Sequence, residues 1–388
     1  MNSKKRVVVA GHICLDVIPN LGHVPSGQFG TLFRPGHLIS TGSAEFATGG
    51  SVANTGLALH KLGVATQLVA KIGDDSFGQR ILELVDPELT HCIAISHEET
   101  TSYTLIISAP GVDRIFLHFP GANDAFCAAD INCDLLAEAH LFHFGYPPIM
   151  RLMYEENGAE LVAVFQQAKA TGVTTSLDMA LPDPASPGGQ VDWREILQQT
   201  LPYVDLFLPS IEEILFMLRR ELYEEVKQAD IIEAVTPALL VSLSDEILAM
   251  GVKMLVIKLG HHGLFLRTAG ARTLDGMGRA RPEEPAGWAD KMLWAPCFQV
   301  EVVGTTGAGD AAIAGFLGAL LRELSPEQAL TMAVAVGACN VEAADALSGL
   351  QSWQATQERV AQGWARHPLD LSKYGWQQQP RFALWEPG

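Results

Sequence analysis

The sequence predicts an α/β fold with three layers, in which a mostly parallel sheet lies between two layers of helices. From residue 135 onward, short apolar runs alternate with longer amphipathic segments. Repeated βα units require right-handed crossovers, which place helices on both faces of a parallel sheet. Residues 6–10 form a β-branched run that ends at Gly11, a pattern typical of a buried parallel strand.

The other elements follow in chain order. Residues 18–48 are rich in Gly, Pro and Ser and predict loops, and a Gly-Gly turn then opens a helix that ends at Gly63. Residues 101–108 and 114–119 alternate around a Pro-Gly turn, which predicts a hairpin. The remaining predicted strands cover residues 68–72, 141–144, 174–178, 206–208 and 254–259, and the remaining helices cover residues 159–170, 193–200, 212–218 and 326–346.

Composition excludes several classes of protein. The chain has 388 residues and 48% hydrophobic content, enough for a large core. Its net charge of −18 opposes binding to nucleic acid or to anionic membranes, which require basic surfaces. The six cysteines contain no Cys-x-x-Cys pair, which disfavours a zinc site and a disulfide framework. We therefore expect a cytoplasmic protein with reduced thiols.

The stretch from Gly304 to Asp310 joins a flexible turn to the start of a small-residue helix. Gly307, Ala308 and Gly309 let an anion approach the backbone N–H groups at the helix start, so the stretch predicts an anion hole. Asp310 is either a base for a hydroxyl that attacks a phosphate or a cap of its own helix. No Gly-Lys-Ser/Thr follows, so the fixed positive charge of a Walker A loop is absent from this motif.

Further polar residues lie at other turns. Gly49 and Gly50 open a helix that carries Asn54 in its first turn, where a capping role is the alternative to ligand binding. Asp16 and Asp178 come after predicted strands, and ligands of parallel sheets bind beyond the carboxyl ends of the strands. We expect these side chains to meet near the anion hole.

Both glycine motifs resemble signatures of the ribokinase-like (PfkB) family of carbohydrate kinases. Gly49-Gly50-x-x-x-Asn54 is similar to the first signature, and the stretch ending in Gly307-Ala308-Gly309-Asp310 to the second. Shorter turns match as well, and the resemblance covers about residues 6–350. The matching turns are Gly73-Asp74-Asp75-x-x-Gly78, Pro120-Gly121-Ala122-Asn123 and Leu259-Gly260-His261-His262-Gly263.

The resemblance implies one ribokinase-like domain over residues 1–388 with a small β-sheet lid from about residues 13–46 and 99–124. Relative to a compact family member, residues 270–296 are an insertion, and residues 352–388 form a tail. The implied reaction transfers the γ-phosphoryl group of ATP, with Mg²⁺, to a hydroxyl of a sugar or sugar-like molecule. Asp310 is then the base. A homodimer through the lid is common in the family.

The same resemblance assigns the ligand contacts. The implied sugar-binding residues are Asp16, Gly49, Gly50, Asn54 and, from the lid side, Asn123. The implied nucleotide-binding residues are Lys258, Gly260, Gly263, Val334 and Asn340. Glu213 is implied to hold Mg²⁺ through water, although Ser210 and Glu213 also fit a helix capping box equally well. His261 and His262 are expected to be loop residues, because no second pair of metal ligands lies nearby in sequence.

Two positions depart from the family pattern. Gly304 stands where the family usually has an Asp that helps to bind a monovalent cation, which leaves potassium dependence open, with Asp345 and Ser348 as a relocated alternative. Tyr146 follows Gly145 where ribokinases proper carry a Glu, so ribose itself is less expected. Tyr146 either packs in the core or stacks on a ligand ring. The alternatives to a sugar kinase are a nucleoside kinase and a catalytically silent sugar-binding regulator.

Overall fold

The computed structural model describes residues 5–22, 35–109, 112–228 and 231–388. Within these ranges, eleven strands form one sheet in the order β14-β15-β13-β12-β11-β10-β9-β8-β1-β4-β5, and four form a small sheet in the order β3-β2-β6-β7. The strands are β1 (Arg6–Gly11), β2 (Cys14–Pro19), β3 (Ala44–Gly49), β4 (Ala65–Gly73), β5 (Ile93–Ser96), β6 (Tyr103–Ala109), β7 (Val112–Phe119), β8 (Leu141–Gly145), β9 (Thr174–Asp178), β10 (Leu206–Phe207), β11 (Met254–Lys258), β12 (Leu264–Thr268), β13 (Met292–Ala295), β14 (Trp376–Gln379) and β15 (Leu384–Pro387).

Helices cover both faces of the large sheet. They are α1 (Ser51–Lys61), α2 (Ser76–Leu84), α3 (Cys133–Glu138), α4 (Arg151–Tyr154), α5 (Ala159–Ala170), α6 (Pro187–Gln190), α7 (Trp193–Thr200), α8 (Ile211–Leu218), α9 (Arg220–Val226), α10 (Pro237–Ala249), α11 (Ala271–Leu274), α12 (Pro285–Trp288), α13 (Ala308–Leu320), α14 (Pro326–Asn340) and α15 (Trp353–Ala361). None of these described helices combines the length and the apolar composition needed to cross a membrane.

The three-layer prediction is confirmed by how β1 is buried. Val7 and Val9 pack into one apolar core with α1, α13 and α14. Val8 and Ala10 point to the opposite face and pack into a second core with α5, α7, α8 and α10. Successive side chains of a strand point to opposite faces, so a strand buried on both sides is apolar throughout.

Parallel pairing brings the carboxyl ends of the central strands to one edge. The strands from β5 across β1 to β11 are parallel, and β12 to β15 extend the sheet in antiparallel pairs. The register sets Gly11 of β1 beside Gly145 of β8, and Gly145 beside Asp178 of β9. Residues that follow these strands therefore share one edge of the sheet.

The small sheet contains the predicted hairpin. Strands β6 and β7 pair antiparallel, β2 pairs parallel with β6, and β3 pairs antiparallel with β2. The turn at residues 110–111 lies outside the described residues, as does the stretch 23–34 of the predicted lid excursion. Asp16 lies on β2 of this sheet, within residues 13–46, which the resemblance assigned to the lid.

The stretches predicted as an insertion and a tail both complete the large sheet. Residues 270–296 contribute β13, and the tail contributes β14 and β15, with Trp294 paired to Trp385. Arg279 of the insertion donates hydrogen bonds to the carbonyl oxygens of Leu136 at 2.5 Å, and of Ala139 and Thr171 at 2.6 Å. These carbonyls belong to the C-terminal ends of α3 and α5, where a cation also stabilises the helix dipole.

We predict that Arg279→Ala lowers the free energy of unfolding by about 2–4 kcal/mol, because three carbonyl groups lose a charged donor. Urea unfolding monitored by circular dichroism measures the change. Arg281→Ala is the matched control, since Arg281 is exposed and lies two residues away. Equal stability of the two variants would show that the insertion is not anchored through Arg279.

Candidate functional site

The two glycine motifs meet at the carboxyl edge of the large sheet. Helix α13 begins at Ala308, directly after Gly307, and α1 begins at Ser51, directly after Gly50. Asp310 of α13 and Asn54 of α1 are 256 residues apart in sequence and joined by a hydrogen bond. The structure therefore places the predicted anion hole and the predicted sugar side next to each other.

Asp310 is buried and receives three side-chain hydrogen bonds. Asn54 Nδ2 and the Tyr146 hydroxyl donate to its Oδ2 atom at 3.1 and 2.8 Å, and the Thr55 hydroxyl donates to Oδ1 at 3.0 Å. The capping alternatives for Asp310 and Asn54 are wrong, because these side chains bond to each other and Gly307 and Gly50 occupy the cap positions. The contacts fix the orientation of the carboxylate.

Burial raises the pKa of the Asp310 carboxyl above its ordinary value, although the charge of Lys258 and the three hydrogen bonds oppose that shift. Loss of hydration disfavours the charged form of a carboxyl, whereas donors and cations favour it. The result is a carboxylate that accepts a proton more readily than an exposed aspartate does.

Tyr146 is a site residue whose role the sequence left between packing and stacking. Its backbone is left-handed, with φ of 69°, and its N–H donates to the Asp178 carbonyl oxygen at 3.3 Å. A tyrosine in this conformation is uncommon and is held there by its surroundings. The conformation directs the hydroxyl to Asp310. The only sequence signal was an aromatic residue after a strand-ending glycine.

The turn predicted to form the anion hole is closely packed at its glycines. Gly307 has φ of 71°, and a Cβ atom on it would lie 2.6 Å from the Ala346 Cβ atom. The Ala308 N–H donates to the Thr305 carbonyl oxygen at 3.3 Å, a long bond. A Cβ atom on Gly309 would lie 3.3 Å from Lys258 Cδ and 3.7 Å from its Nζ. The long side chain of Lys258 thus lies against the start of α13.

Lys258 places a positive charge beside the start of α13. The motif itself carries no lysine, but the end of β11 supplies one from 51 positions earlier in the chain. Its ammonium donates to Asp178 Oδ1 at 2.5 Å, and its side chain is 14% exposed. The sheet thus brings the positive charge of Lys258 to the glycine motif, and the motif alone does not show it.

Lys258 lies among three carboxylates. Burial disfavours its charged form, but Asp178, Glu213 and Asp310 outweigh that effect and raise the pKa of Lys258. Burial also raises the pKa of Asp178 well above its ordinary value, and the charges of Glu213 and Asp310 add to this shift. Because one cation balances three acids, the cluster favours any further positive charge, such as a proton or a metal ion.

Glu213 forms the capping box that its spacing predicted. Ser210 N–H donates to Glu213 Oε2 at 2.6 Å, and Glu213 N–H donates to Ser210 Oγ at 3.2 Å. The side chain is nevertheless close enough to Lys258 and Asp178 to shift the pKa of both. Its predicted contact with Mg²⁺ through water stays a prediction.

The Gly49-Gly50 turn lets two polar side chains lie against the backbone. A Cβ atom on Gly49 would lie 2.5 Å from both carboxylate oxygens of Asp16. Gly50 has φ of 85°, and a Cβ atom on it would lie 2.5 Å from His12 Nδ1. His12, which the sequence analysis did not identify, thus joins Asp16 at the predicted sugar side.

Several buried polar atoms near this turn have no hydrogen-bond partner among the described residues. They are His12 Nδ1, Ser51 Oγ, Asn54 Oδ1 and His143 Nε2. Buried polar atoms are costly unless they are hydrogen-bonded, so their concentration here indicates a place where a polar ligand or water is bound. Burial and the charge of Lys258 lower the pKa of His143 to about 3, which keeps that ring neutral.

Asn123 is fully buried and bonded to the backbone. Its Nδ2 donates to the carbonyl oxygens of Ile13 at 2.8 Å and Pro120 at 3.1 Å, and its Oδ1 accepts from the Ile13 N–H at 3.1 Å. These bonds tie the end of the hairpin to the link between β1 and β2. Its contact with a substrate stays a prediction, and it requires some of these bonds to be exchanged.

The predicted nucleotide residues lie around the ends of β11 and α14. A Cβ atom on Gly263 would lie 1.9 Å from the Ala295 carbonyl oxygen, so no side chain fits there, and Gly260 has φ of 51°. Val334 is buried within α14, and Asn340 at its end donates to the Ala346 carbonyl oxygen at 2.7 Å. Asn340 thereby holds the loop that packs on Gly307.

Gly304 is tightly enclosed. A Cβ atom on it would lie 2.9 Å from the Ala344 Cα and carbonyl oxygen atoms, so the chain after α14 fills the space of a side chain. Asp345 accepts from the N–H groups of Leu347 and Ser348 at 2.8 and 2.7 Å. Although burial opposes it, these bonds lower the pKa of Asp345. A relocated cation site at Asp345 and Ser348 stays a prediction.

Comparisons with known proteins show the family of the chain and its fold. A model of the pfkB family of carbohydrate kinases matches residues 4–353. Fructokinase-2 of Oryza sativa subsp. japonica is 25% identical, covering 84% of this chain and 81% of the relative, and ribokinase of Haemophilus influenzae is 27% identical, covering 92% and 98%. The structure of Arabidopsis thaliana ribokinase complexed with ribose and ATP superposes with a TM-score of 0.67 at 20% identity, covering 92% and 98%.

We predict that Lys258→Met lowers the free energy of unfolding by about 3–5 kcal/mol at pH 8, because Asp178 becomes a buried carboxylate without its cation. Burial raises the pKa of Asp178 and Lys258 lowers it, so removal of Lys258 raises that pKa further, and the folded variant binds the proton more tightly than the native protein does. The loss therefore shrinks as pH falls. Urea unfolding at pH 5 and pH 8 measures both effects.

The double variant Asp178→Asn/Lys258→Met is the control for that measurement. Removing both charges leaves no unpaired carboxylate at position 178, and we expect most of the lost stability to return. An equal loss at both pH values, or a double variant as unstable as Lys258→Met, would contradict the proposed pairing.

Proposed function

The chain belongs to the pfkB family of carbohydrate kinases, and we propose that it transfers the γ-phosphoryl group of ATP to a hydroxyl of a sugar or sugar-like molecule. Membership makes it a phosphotransferase with an alcohol group as acceptor. The proposal of ATP-dependent transfer to a sugar hydroxyl rests on one observation. Asp310, a buried carboxylate of raised pKa, lies at the start of α13 beside Lys258.

In the proposed reaction, Asp310 is the base. The acceptor hydroxyl oxygen bonds to the γ-phosphorus while the bond from that phosphorus to the β,γ-bridging oxygen breaks. The hydroxyl proton passes to Asp310, and ADP leaves. The raised pKa suits this role, because a base is most effective when its pKa approaches the working pH. The acceptor hydroxyl takes the position on Oδ2 that the Tyr146 hydroxyl occupies here.

Charge that develops on the transferred group is stabilised at the start of α13. The backbone N–H groups of Gly307, Ala308 and Gly309 and the helix dipole favour an anion there, and Lys258 adds a full charge. Mg²⁺, when bound, supplies further neutralisation of the triphosphate. Carboxylate oxygens suit this ion. Glu213 is the proposed holder through water, and buried Asp178 Oδ2, which lacks a hydrogen-bond partner among the described residues, is compatible with the same role.

The acceptor is proposed to bind between the large sheet and the lid sheet. Asp16, Gly49, Gly50, Asn54 and Asn123 are its proposed contacts. The unpaired Nδ1 of His12 and Oδ1 of Asn54 offer further hydrogen bonds at the same place. A compound rich in hydroxyl groups satisfies such a set of polar atoms, which supports a sugar over a nucleoside as the acceptor.

On the nucleotide side, Gly260, Gly263, Val334 and Asn340 are proposed to border the ATP site, with Lys258 at its phosphates. The lid also supports a proposed homodimer, because β7 exposes Ile115, Phe116, Leu117 and Phe119 at 41–52% along the edge of the small sheet. A cytoplasmic location is proposed from the free cysteines.

We predict that purified protein with Mg-ATP releases ADP with one class of acceptor in a panel of free sugars, sugar phosphates and nucleosides. Asp310→Asn should lower kcat about a hundredfold or more, because the base is removed while shape is kept. Asp245→Asn, a change at an exposed acid on α10, is the matched control and should keep the native rate.

Turnover of nucleosides alone would replace the sugar proposal with a nucleoside kinase. Absence of turnover, combined with thermal stabilisation by one sugar, would favour a silent sugar-binding protein.

We predict that Tyr146→Phe moves the acidic limb of the pH profile of kcat/KM to higher pH. The phenol donates to the carboxylate and so favours its charged form, and its removal raises the pKa of Asp310 further. Because the base must be charged, activity is then lost at a higher pH as the solution is acidified. Tyr154→Phe, at a tyrosine on α4, is the control. If the acidic limb of the pH profile does not move in Tyr146→Phe, the hydrogen bond from Tyr146 does not set the pKa of Asp310.

A further inference from the structure

A second cluster of ligand-type side chains lies after β11, at the turn Gly260–His262. His261 Nε2 lies 3.2 Å and His262 Nε2 lies 3.4 Å from the same oxygen, Oε1 of Glu233. One ligand atom of each of the three residues lies within 4.8 Å of the others. Glu233 reaches this place from the short helical turn Ile232–Ala234, 28 positions earlier.

We propose that Glu233, His261 and His262 form a binding site for a transition-metal ion of the zinc type. Zinc binds imidazole nitrogen and carboxylate oxygen at about 2.0–2.2 Å in tetrahedral geometry. Two ligands of such a tetrahedron are about 3.4 Å apart. The two nitrogen-to-oxygen separations in the cluster match that spacing, so a metal fits with small side-chain adjustments.

A fourth residue of suitable type lines the same cavity. The cavity has a volume of about 180 Å³ and is bordered by the three ligands together with Pro296, His367, Pro368 and Leu369. The His367 N–H donates to the Cys297 carbonyl oxygen at 2.8 Å, which holds that part of the tail at the cavity. His367 is exposed and lies outside the group of three ligand atoms, so the remaining tetrahedral position falls to its ring after a rotation or to water.

Cys297 is not one of the ligands. Its thiol donates to the Gly260 carbonyl oxygen at 3.4 Å, and it is not among the three residues whose ligand atoms lie together. The donor set is therefore two or three imidazoles and one carboxylate, which suits zinc, nickel or copper better than magnesium.

The proposed metal site lies beside the turn that is proposed to border ATP. A metal held by Glu233, His261 and His262 joins two separate segments at the turn that contains Gly260, and His367 as a fourth ligand adds the tail as a third segment. That turn is proposed to border ATP, so a metal effect on nucleotide affinity rests on the proposed function. Metal binding itself does not, and it is measured without nucleotide.

The test uses the full chain, freed of metal with a chelator and dialysed. Calorimetric titration with Zn²⁺ should show one saturable site, and Co²⁺ should produce the visible absorption bands of a four-coordinate site. Glu233→Gln, His261→Gln and His262→Gln should each weaken Zn²⁺ binding about tenfold or more, and His367→Gln should weaken it less. Thermal melts without metal verify that each variant is folded.

His97→Gln is the matched control. His97 forms an exposed pair with Asp74 at 3.0 Å. It is not part of the metal-type cluster found among the described residues. The proposal predicts unchanged Zn²⁺ binding in this variant. Absence of saturable binding to the native protein, or equal weakening by His97→Gln, would overturn it and leave the two histidines as hydrogen-bond partners of Glu233.

Discussion

The ion pair between Lys258 and Asp178 is the interaction on which the candidate site depends. Lys258 is a buried cation among three acids, and Asp178 at the end of β9 holds its ammonium at 2.5 Å. Because a buried charge is costly unless it is paired, the pair requires β9 and β11 to keep their register around β10. The side chain of Lys258 also lies against Gly309. The sheet that holds Lys258 therefore determines where its positive charge lies relative to the start of α13.

Asp310 completes this arrangement from the other side. Its contacts come from α1 and from the residue after β8, which are packed on β1. Small residues allow α13 and α14 to pack closely together. A Cβ atom on Gly315 of α13 would lie 2.9 Å from Ala333 Cα of α14. The two helices are therefore close, and the glycine turn at the start of α13 packs against Ala346 in the loop after α14.

The sequence predicted the fold and the glycine turns well, because both are local patterns. The helices 159–170 and 193–200 and the strand 174–178 begin and end where the structure has them. Its last long predicted helix, 326–346, instead ends at Asn340. What it missed depends on contacts between distant segments. The ion pair of Lys258 with Asp178, the Tyr146 bond to Asp310 and the meeting of Glu233 with two histidines arise only when the sheet is assembled.

The most direct test of the central claim measures which nucleotide phosphates depend on Lys258. The variant Asp178→Asn/Lys258→Met has neither member of the ion pair, so no unpaired carboxylate remains. Calorimetry should show that its affinity for AMP is unchanged. Affinity for ADP and for a non-hydrolysable ATP analogue should fall about 10- to 100-fold, the value of a hydrogen bond to a charged group. Unchanged affinity for the ATP analogue, or an equal loss for AMP, would contradict the assignment of Lys258 as the positive charge of the anion hole.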